Sequence, residues 1–274
     1  MVGRDNKELF KVPWNQLALE CCGIASLHFV PMAIVVFKHE ANWSEALKID
    51  VRVITLFGKD MKFRQRWKPD GKGGSDIGFG ASIYPACILL TAFLETNEYG
   101  GKGYVEGKRV LELGCGLGLG GVGCVLSGAK EVFATDGDGT LLELIRENAE
   151  ANLNAREIRK LKVRRLLWDC KDDYAALGDD LRFDVIIASD VVACPYAEAY
   201  EALLQTFVHF SDVNPGLNII ISYKRRQESE STFWKIFKEQ FDVTEISPGR
   251  FPGEFKGSSS MGIVVAARKG LTKG

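Results

Sequence analysis

Histidine is scarce in this chain: there are three in 274 residues, beside seven scattered cysteines with no Cys-x-x-Cys pair. That spacing supplies no four-ligand zinc site, and the odd cysteine count argues against a disulfide scaffold. Excess charge is missing too, since 35 Lys+Arg against 36 Asp+Glu leave a formal −1. A general nucleic-acid binder needs a surplus of phosphate-neutralising cations, so that class is set aside. The basic clusters Lys62–Lys68, Arg159–Arg165 and Lys224–Arg226 read as solvated faces and strand ends. Long apolar runs are nearly absent. The exception, Cys21–Phe37, falls short of the about 20 residues a spanning helix needs and is broken by Pro31. It reads as a buried helix and strand, or as an extension of undetermined structure, rather than a membrane span, and it is a poor signal peptide. No internal repeat is visible.

What remains is ordinary globular composition, 46% hydrophobic and 26% charged, at a length that suits one α/β domain with an extension. Thiols inside apolar segments, such as Cys87 and Cys124, behave as small hydrophobes. Together these features point to a reducing compartment, the cytoplasm first and the nucleus second.

Residues 1–48 read as an extension of unassigned structure and 49–274 as a single domain. Within that domain, 49–75 is a hairpin and linker, 76–108 carries a helix and 109–274 is the core. Val51–Phe57 and Met61–Trp67 are strand-like, joined by Gly58-Lys59-Asp60. Tyr84–Thr96 is apolar at helical spacing, with Pro85 suited to a first turn. Strands and helices then alternate. The strands are Arg109–Leu113, Glu131–Thr135, Val163–Leu167, Phe183–Ser189, Leu217–Tyr223, Phe241–Ile246 and Met261–Arg268. Helices fall near Leu119–Ser127, Thr140–Asn152, Ala197–Phe210 and Ser231–Gln240. The alternation predicts a doubly wound, mostly parallel seven-stranded sheet, Rossmann-like, with an N-terminal β-hairpin. The final strand, which no helix precedes, should be antiparallel.

The most informative segment is Val110-Leu111-Glu112-Leu113-Gly114-Cys115-Gly116-Leu117-Gly118. A buried strand enters a glycine-rich turn and then a helix, a place where backbone approaches a ligand closely. Asp136 ends the next strand, where a carboxylate can accept from ribose hydroxyls. The pair indicates an adenosine-containing cofactor. Glu112 decides which: a carboxylate there would face pyrophosphate in a dinucleotide site, whereas a cofactor with a cationic end and no phosphates gains from it. S-adenosylmethionine is such a cofactor.

At these residues the sequence resembles the seven-β-strand, S-adenosylmethionine-dependent methyltransferases. The narrower resemblance is to the methyltransferase-like protein-lysine methyltransferases of family 16. It is carried by the hairpin, by Ile83-Tyr84-Pro85-Ala86, by Leu167-Trp168-Asp169 and by Phe183-Asp184-Val185-Ile186-Ile187-Ala188-Ser189-Asp190. It spans about Val51 to Lys269. The resemblance implies that Tyr84 replaces a tryptophan beside the cofactor. It places Gly114, Cys115 and Gly116 at the methionine end, Glu112 near the ammonium and Asp136 on the ribose. Trp168 would lie against the adenine, Asp169 would accept from its amino group, and Ser189 would border the cofactor. Two positions depart from the family pattern: Tyr84 for Trp, and Asp190-Val191-Val192-Ala193 where Asp-x-x-Tyr is usual.

The implied activity is methyl transfer to the ε-amine of lysine in a protein substrate. Asp190 would orient the amine, with Tyr196 substituting for the missing tyrosine and Tyr223 as a further wall. The alternative role for Asp190 is a cap on the following helical segment. Neither nucleic acid nor membrane is an expected partner, no metal is expected, and the chain should be a monomer. A nucleic-acid amino-methyltransferase would show Asp/Asn-Pro-Pro-Tyr in place of Asp190-Val191-Val192-Ala193. A small-molecule methyltransferase and a non-catalytic cofactor-binding protein of the same fold remain as alternatives.

Overall fold

Side chains along the central strands alternate between two apolar clusters, so both faces of the sheet must be covered. The computed structural model describes residues 46–68, 79–95, 97–98, 100–193, 198–226 and 230–270. The Cys21–Phe37 run and the 69–75 linker lie outside them. Among the described residues no helix is long and apolar enough to cross a membrane.

The chain begins with a hairpin, β1 (Val51–Leu56) and β2 (Lys59–Arg64). Helices α1 (Pro85–Glu95) and α2 (Lys102–Val105) lead to β3 (Arg109–Leu113) and α3 (Leu119–Leu126). Next come β4 (Glu131–Asp136), α4 (Leu142–Asn152), β5 (Leu161–Arg165) and α5 (Lys171–Ala175). The core closes with β6 (Val185–Ser189), α6 (Tyr200–Val213), β7 (Asn218–Lys224), α7 (Glu230–Gln240), β8 (Phe241–Glu245) and β9 (Met261–Arg268). The seven core strands are ordered β5-β4-β3-β6-β7-β9-β8. All neighbours are parallel except β9, which runs antiparallel to β7 and β8. The expected sheet and antiparallel last strand are present. The order reverses between β4 and β6, on either side of β3, which opens a crevice at the carboxyl ends of those strands.

Most expected boundaries moved by one to three residues, and two of the shifts have a visible cause. The hairpin turn is Phe57-Gly58, one residue earlier than read, because Leu56 pairs with Lys59. Both turn residues have positive φ, 55° and 66°, as a two-residue hairpin of I′ type requires. Phe57 is held there by its N–H, which donates to Glu95 Oε1 at the end of α1 (2.8 Å). β5 ends two residues before the expected Leu167. The Leu166 N–H still donates to Asp136 O (2.9 Å), but Leu167 and Trp168 then bend away from the sheet.

Two asparagines fasten the hairpin to α4. Asn148 Oδ1 accepts from Arg64 N–H (2.8 Å) while its amide donates to Arg64 O (3.1 Å). One turn on, Asn152 Oδ1 accepts from Lys62 N–H (2.9 Å) and its amide donates to Lys62 O (2.8 Å). Spaced i, i+4 on one helix face, they satisfy the edge of β2 as a neighbouring strand would. The hairpin in turn grips the segment before α1. Buried Arg52 donates to Ile83 O, and burial lowers its pKa to about 10. Gln65 Oε1 accepts from Ile83 N–H (2.9 Å). α1 is buried along Pro85–Leu94. A helix apolar all round needs cover on every side, which the sheet and α3 supply; Ser222 Oγ on β7 donates to Ala86 O (2.7 Å).

Candidate active site

The crevice holds a cleft of about 660 Å³. Its floor is the turn from β3 into α3. Gly114 and Gly116 have φ of +64° and +54°, the left-handed region that favours glycine. A Cβ on Gly116 would meet Gly80 O at 3.4 Å, so the segment before α1 closes directly over the turn. Cys115 lies between them, buried, its thiol pushed well up by burial. Cys87 also lines the cleft, with a thiol pushed to about 12 by burial and so no thiolate near neutral pH.

Asp136 stands at the end of β4. Its Oδ2 accepts from Gly116 N–H (2.9 Å) and its Oδ1 from Asp138 N–H (3.0 Å). Burial raises its pKa, against those backbone donors. A carboxylate has about four acceptor sites, so these donors leave room for a hydroxyl. Leu141, Leu166, Leu167 and Trp168 form an apolar wall beside it. A Cβ on Gly114 would lie 3.8 Å from Trp168 Cζ2, which brings the indole edge to the glycine turn.

Tyr84 before α1, the Ser189–Val191 exit from β6, Ala193, and Arg226 beyond β7 also line the cleft. Burial raises the Tyr84 phenol. Asp190 has a φ of +56°, strained for a residue with a side chain. Its carboxylate does not cap a helix. Oδ1 accepts from Lys224 N–H (3.0 Å) and from Arg226 Nη1 (2.9 Å), and Oδ2 accepts from Arg226 Nη2 (2.8 Å). Burial disfavours the Arg226 cation, but the hydrogen bonds and charge of Asp190 outweigh it and hold its pKa above the ordinary value.

Three expected site residues lie elsewhere. Glu112 shares the face of Val110, opposite Leu111 and Leu113, so it points toward α3 and does not line the cleft. It is 1% exposed beneath Gly120, where any Cβ would overlap its Oε1. Burial raises its pKa to about 8; the Gly121 N–H favours the anion, and the Asp136 charge opposes it. Even so, Oε2 has no hydrogen-bond partner among the described residues. Asp169, at φ +57°, is exposed and outside the lining; its N–H donates to Thr206 Oγ1 on α6 (2.9 Å). Tyr223 is buried on the other face against Trp234, its ring filling the space over Gly262. Tyr196 lies outside the described residues. Sequence reasoning missed Gly80, Cys87 and Arg226. A signal for Arg226 existed: a basic run leaving a strand next to the one that carries Asp190.

A family model described as "Lysine methyltransferase" matches residues 70–240. The chain belongs to the lysine methyltransferase family. It is an S-adenosylmethionine-dependent methyltransferase. This lysine methyltransferase family member is 31% identical to Protein N-lysine methyltransferase METTL21A of Danio rerio over 70% of this chain and 79% of the relative. It is 36% identical to Protein-lysine methyltransferase METTL21E of Mus musculus over 62% and 66% of the two chains. In fold it is similar to the T. thermophilus 16S rRNA N2 methyltransferase RsmC in complex with AdoMet and guanosine. That similarity has a TM-score of 0.54 at 19% identity and covers 80% of this chain and 50% of RsmC.

The cleft of this methyltransferase fits its cofactor. The turn at Gly114–Gly116, with no side chain at either glycine, admits the methionine end, the part-buried Asp136 carboxylate suits ribose hydroxyls, and the Leu141–Trp168 wall suits a flat ring.

Proposed function

We propose that the chain methylates the ε-amine of a lysine in a protein substrate, which enters the cleft beside Asp190. The observation that carries this reading is a largely buried, arginine-paired carboxylate that lines the same cleft as the glycine turn. When bound, S-adenosylmethionine supplies an electrophilic methyl group on a sulfonium. Gly114 and Gly116 would hold its methionine end through backbone, Asp136 its ribose, and Trp168 the face of its adenine. Ser189 and Tyr84 would border it. The acceptor must arrive neutral, since an ammonium has no lone pair and lysine has a reference pKa of about 10.4. Loss of water around the amine in the cleft favours the neutral form. Asp190 would accept an N–H and aim the lone pair, so catalysis is mainly positioning. Tyr196 remains the candidate to stand in for the family tyrosine that Ala193 replaces. Scattered cysteines favour a cytoplasmic setting, and balanced charge favours a chain without nucleic-acid partners.

Asp190→Asn tests the reading. Cofactor affinity by calorimetry should stay within a few fold, while methyl transfer to lysate protein should fall on the order of 100-fold. Ala193→Tyr should raise transfer to protein lysine. Equal transfer by wild type and both variants would refute the placement of the acceptor.

A further inference from the structure

Asp190 is not a bare carboxylate. Both its oxygens are engaged by the Arg226 fork, at 2.9 and 2.8 Å, and Oδ1 also takes the Lys224 N–H. The pair is largely withdrawn from water, with side-chain exposures of 10% for Asp190 and 30% for Arg226. Both residues line the cleft. This arrangement bears on a problem that a lone carboxylate would create. An anion beside a lysine amine stabilises the ammonium and keeps the proton on, and a protonated amine cannot attack. A paired carboxylate keeps a lone-pair site for an N–H, while the neighbouring cation cancels most of its pull on the proton.

We propose that Arg226 is a positioning residue that neutralises Asp190, so that the carboxylate aims the acceptor amine without holding a proton on it. This deepens the lysine reading above and rests on it. In the step served, the amine first yields its proton to water. Its lone pair then forms the N–C bond to the methyl group, the C–S electron pair stays on sulfur, and the product ammonium releases a second proton to water. Arg226 favours the first of these events.

Other charges facing the pair come from two further elements. Glu230, at the start of α7, accepts from the Arg226 backbone N–H (3.4 Å). Burial raises its pKa, against the Arg226 backbone N–H and the Arg226 charge. Tyr84, before α1, is a phenol whose pKa burial raises. Lys224, whose N–H binds Asp190, carries a further cationic side chain at the end of β7, and among the described residues Arg226 is the cation whose side chain binds the carboxylate.

The test is the pH dependence of apparent kcat, which reports groups in the substrate complex. The acceptor is the label-accepting protein fraction of a heat-inactivated lysate, titrated to saturation with tritiated S-adenosylmethionine also saturating. Arg226→Met should move the acid limb about one to two pH units upward, the size expected for removing one charge at contact distance. Transfer would fall about tenfold or more at pH 7.5 and largely recover by pH 9.5. Arg226→Lys, which keeps the charge, should leave the limb near its wild-type position. Asp190→Asn should move the limb the other way, to lower pH, at a reduced plateau. If Arg226→Met does not fold, the downward shift in Asp190→Asn decides alone. A uniform loss in Arg226→Met with the limb unmoved, or no downward shift in Asp190→Asn, would overturn the proposal. Failure of wild type to label lysine at all would instead overturn the lysine reading.

Discussion

Glu112→Gln should make the protein more stable, and only on one side of a pH window. In the folded chain Glu112 is 1% exposed, with a pKa raised to about 8 by burial, against an ordinary 4.5. Between those two values the folded state keeps a proton that the unfolded chain has released. Stability therefore falls as pH rises from about 5 to about 8, and levels off beyond. At about 1.4 kcal/mol per pH unit, the folded wild type forfeits on the order of 4–5 kcal/mol across the window. Glutamine copies the protonated side chain and cannot ionise. Near pH 5 the two proteins should agree within about 1 kcal/mol, the scale of one rearranged hydrogen bond. At pH 8.5 the variant should lead by several kcal/mol. Urea midpoints at pH 5, 6.5 and 8.5, multiplied by a common m-value, give the difference directly. Glu254, raised to about 7 by burial, tilts both proteins alike and cancels. A difference that does not grow with pH, or that grows in favour of wild type, would refute the buried placement of this carboxylate.

Two other substitutions probe the site and its brace. Asp136→Ala removes the acceptor of the Gly116 and Asp138 N–H groups and the proposed ribose contact. S-adenosylmethionine affinity by calorimetry should drop about tenfold to a hundredfold, and unchanged affinity in a folded variant would move the cofactor elsewhere. Asn148→Ala breaks the paired contact with Arg64 and the bond to Leu117 O (3.3 Å). It should cost about 1–3 kcal/mol, several degrees in Tm, and an unchanged melting curve would mean that the hairpin is not held there.

Most of the sheet was legible because buried parallel strands write themselves as apolar runs: Val185–Ser189 could be little else. The edge strand was less legible. Leu166 and Leu167 follow the charged strand β5, Leu161-Lys162-Val163-Arg164-Arg165, and read as its apolar end, but they serve as cleft wall. At the site, residues at strand ends were readable because the crevice of such a sheet lies at the carboxyl ends of its strands. Gly114, Asp136, Ser189 and Asp190 all occupy such ends and all reach the cleft. Glu112 was misplaced although its parity with Val110 already pointed it under α3. Asp169 sits in a left-handed turn that sends its backbone to α6, and a residue's φ is not written in one residue's identity. Arg226 was taken for a solvated strand end. Its fork on Asp190 joins two strands separated by a helix, and only the fold brings them together.

The most direct measurement of the central claim follows the methyl group itself. The full chain would be incubated with tritiated S-adenosylmethionine and lysate protein, the protein hydrolysed, and the labelled amino acids separated. The label should co-elute with methylated lysine, and Asp190→Asn should abolish most of it. Label confined to small molecules, or recovered on an amino acid other than lysine, would contradict the account.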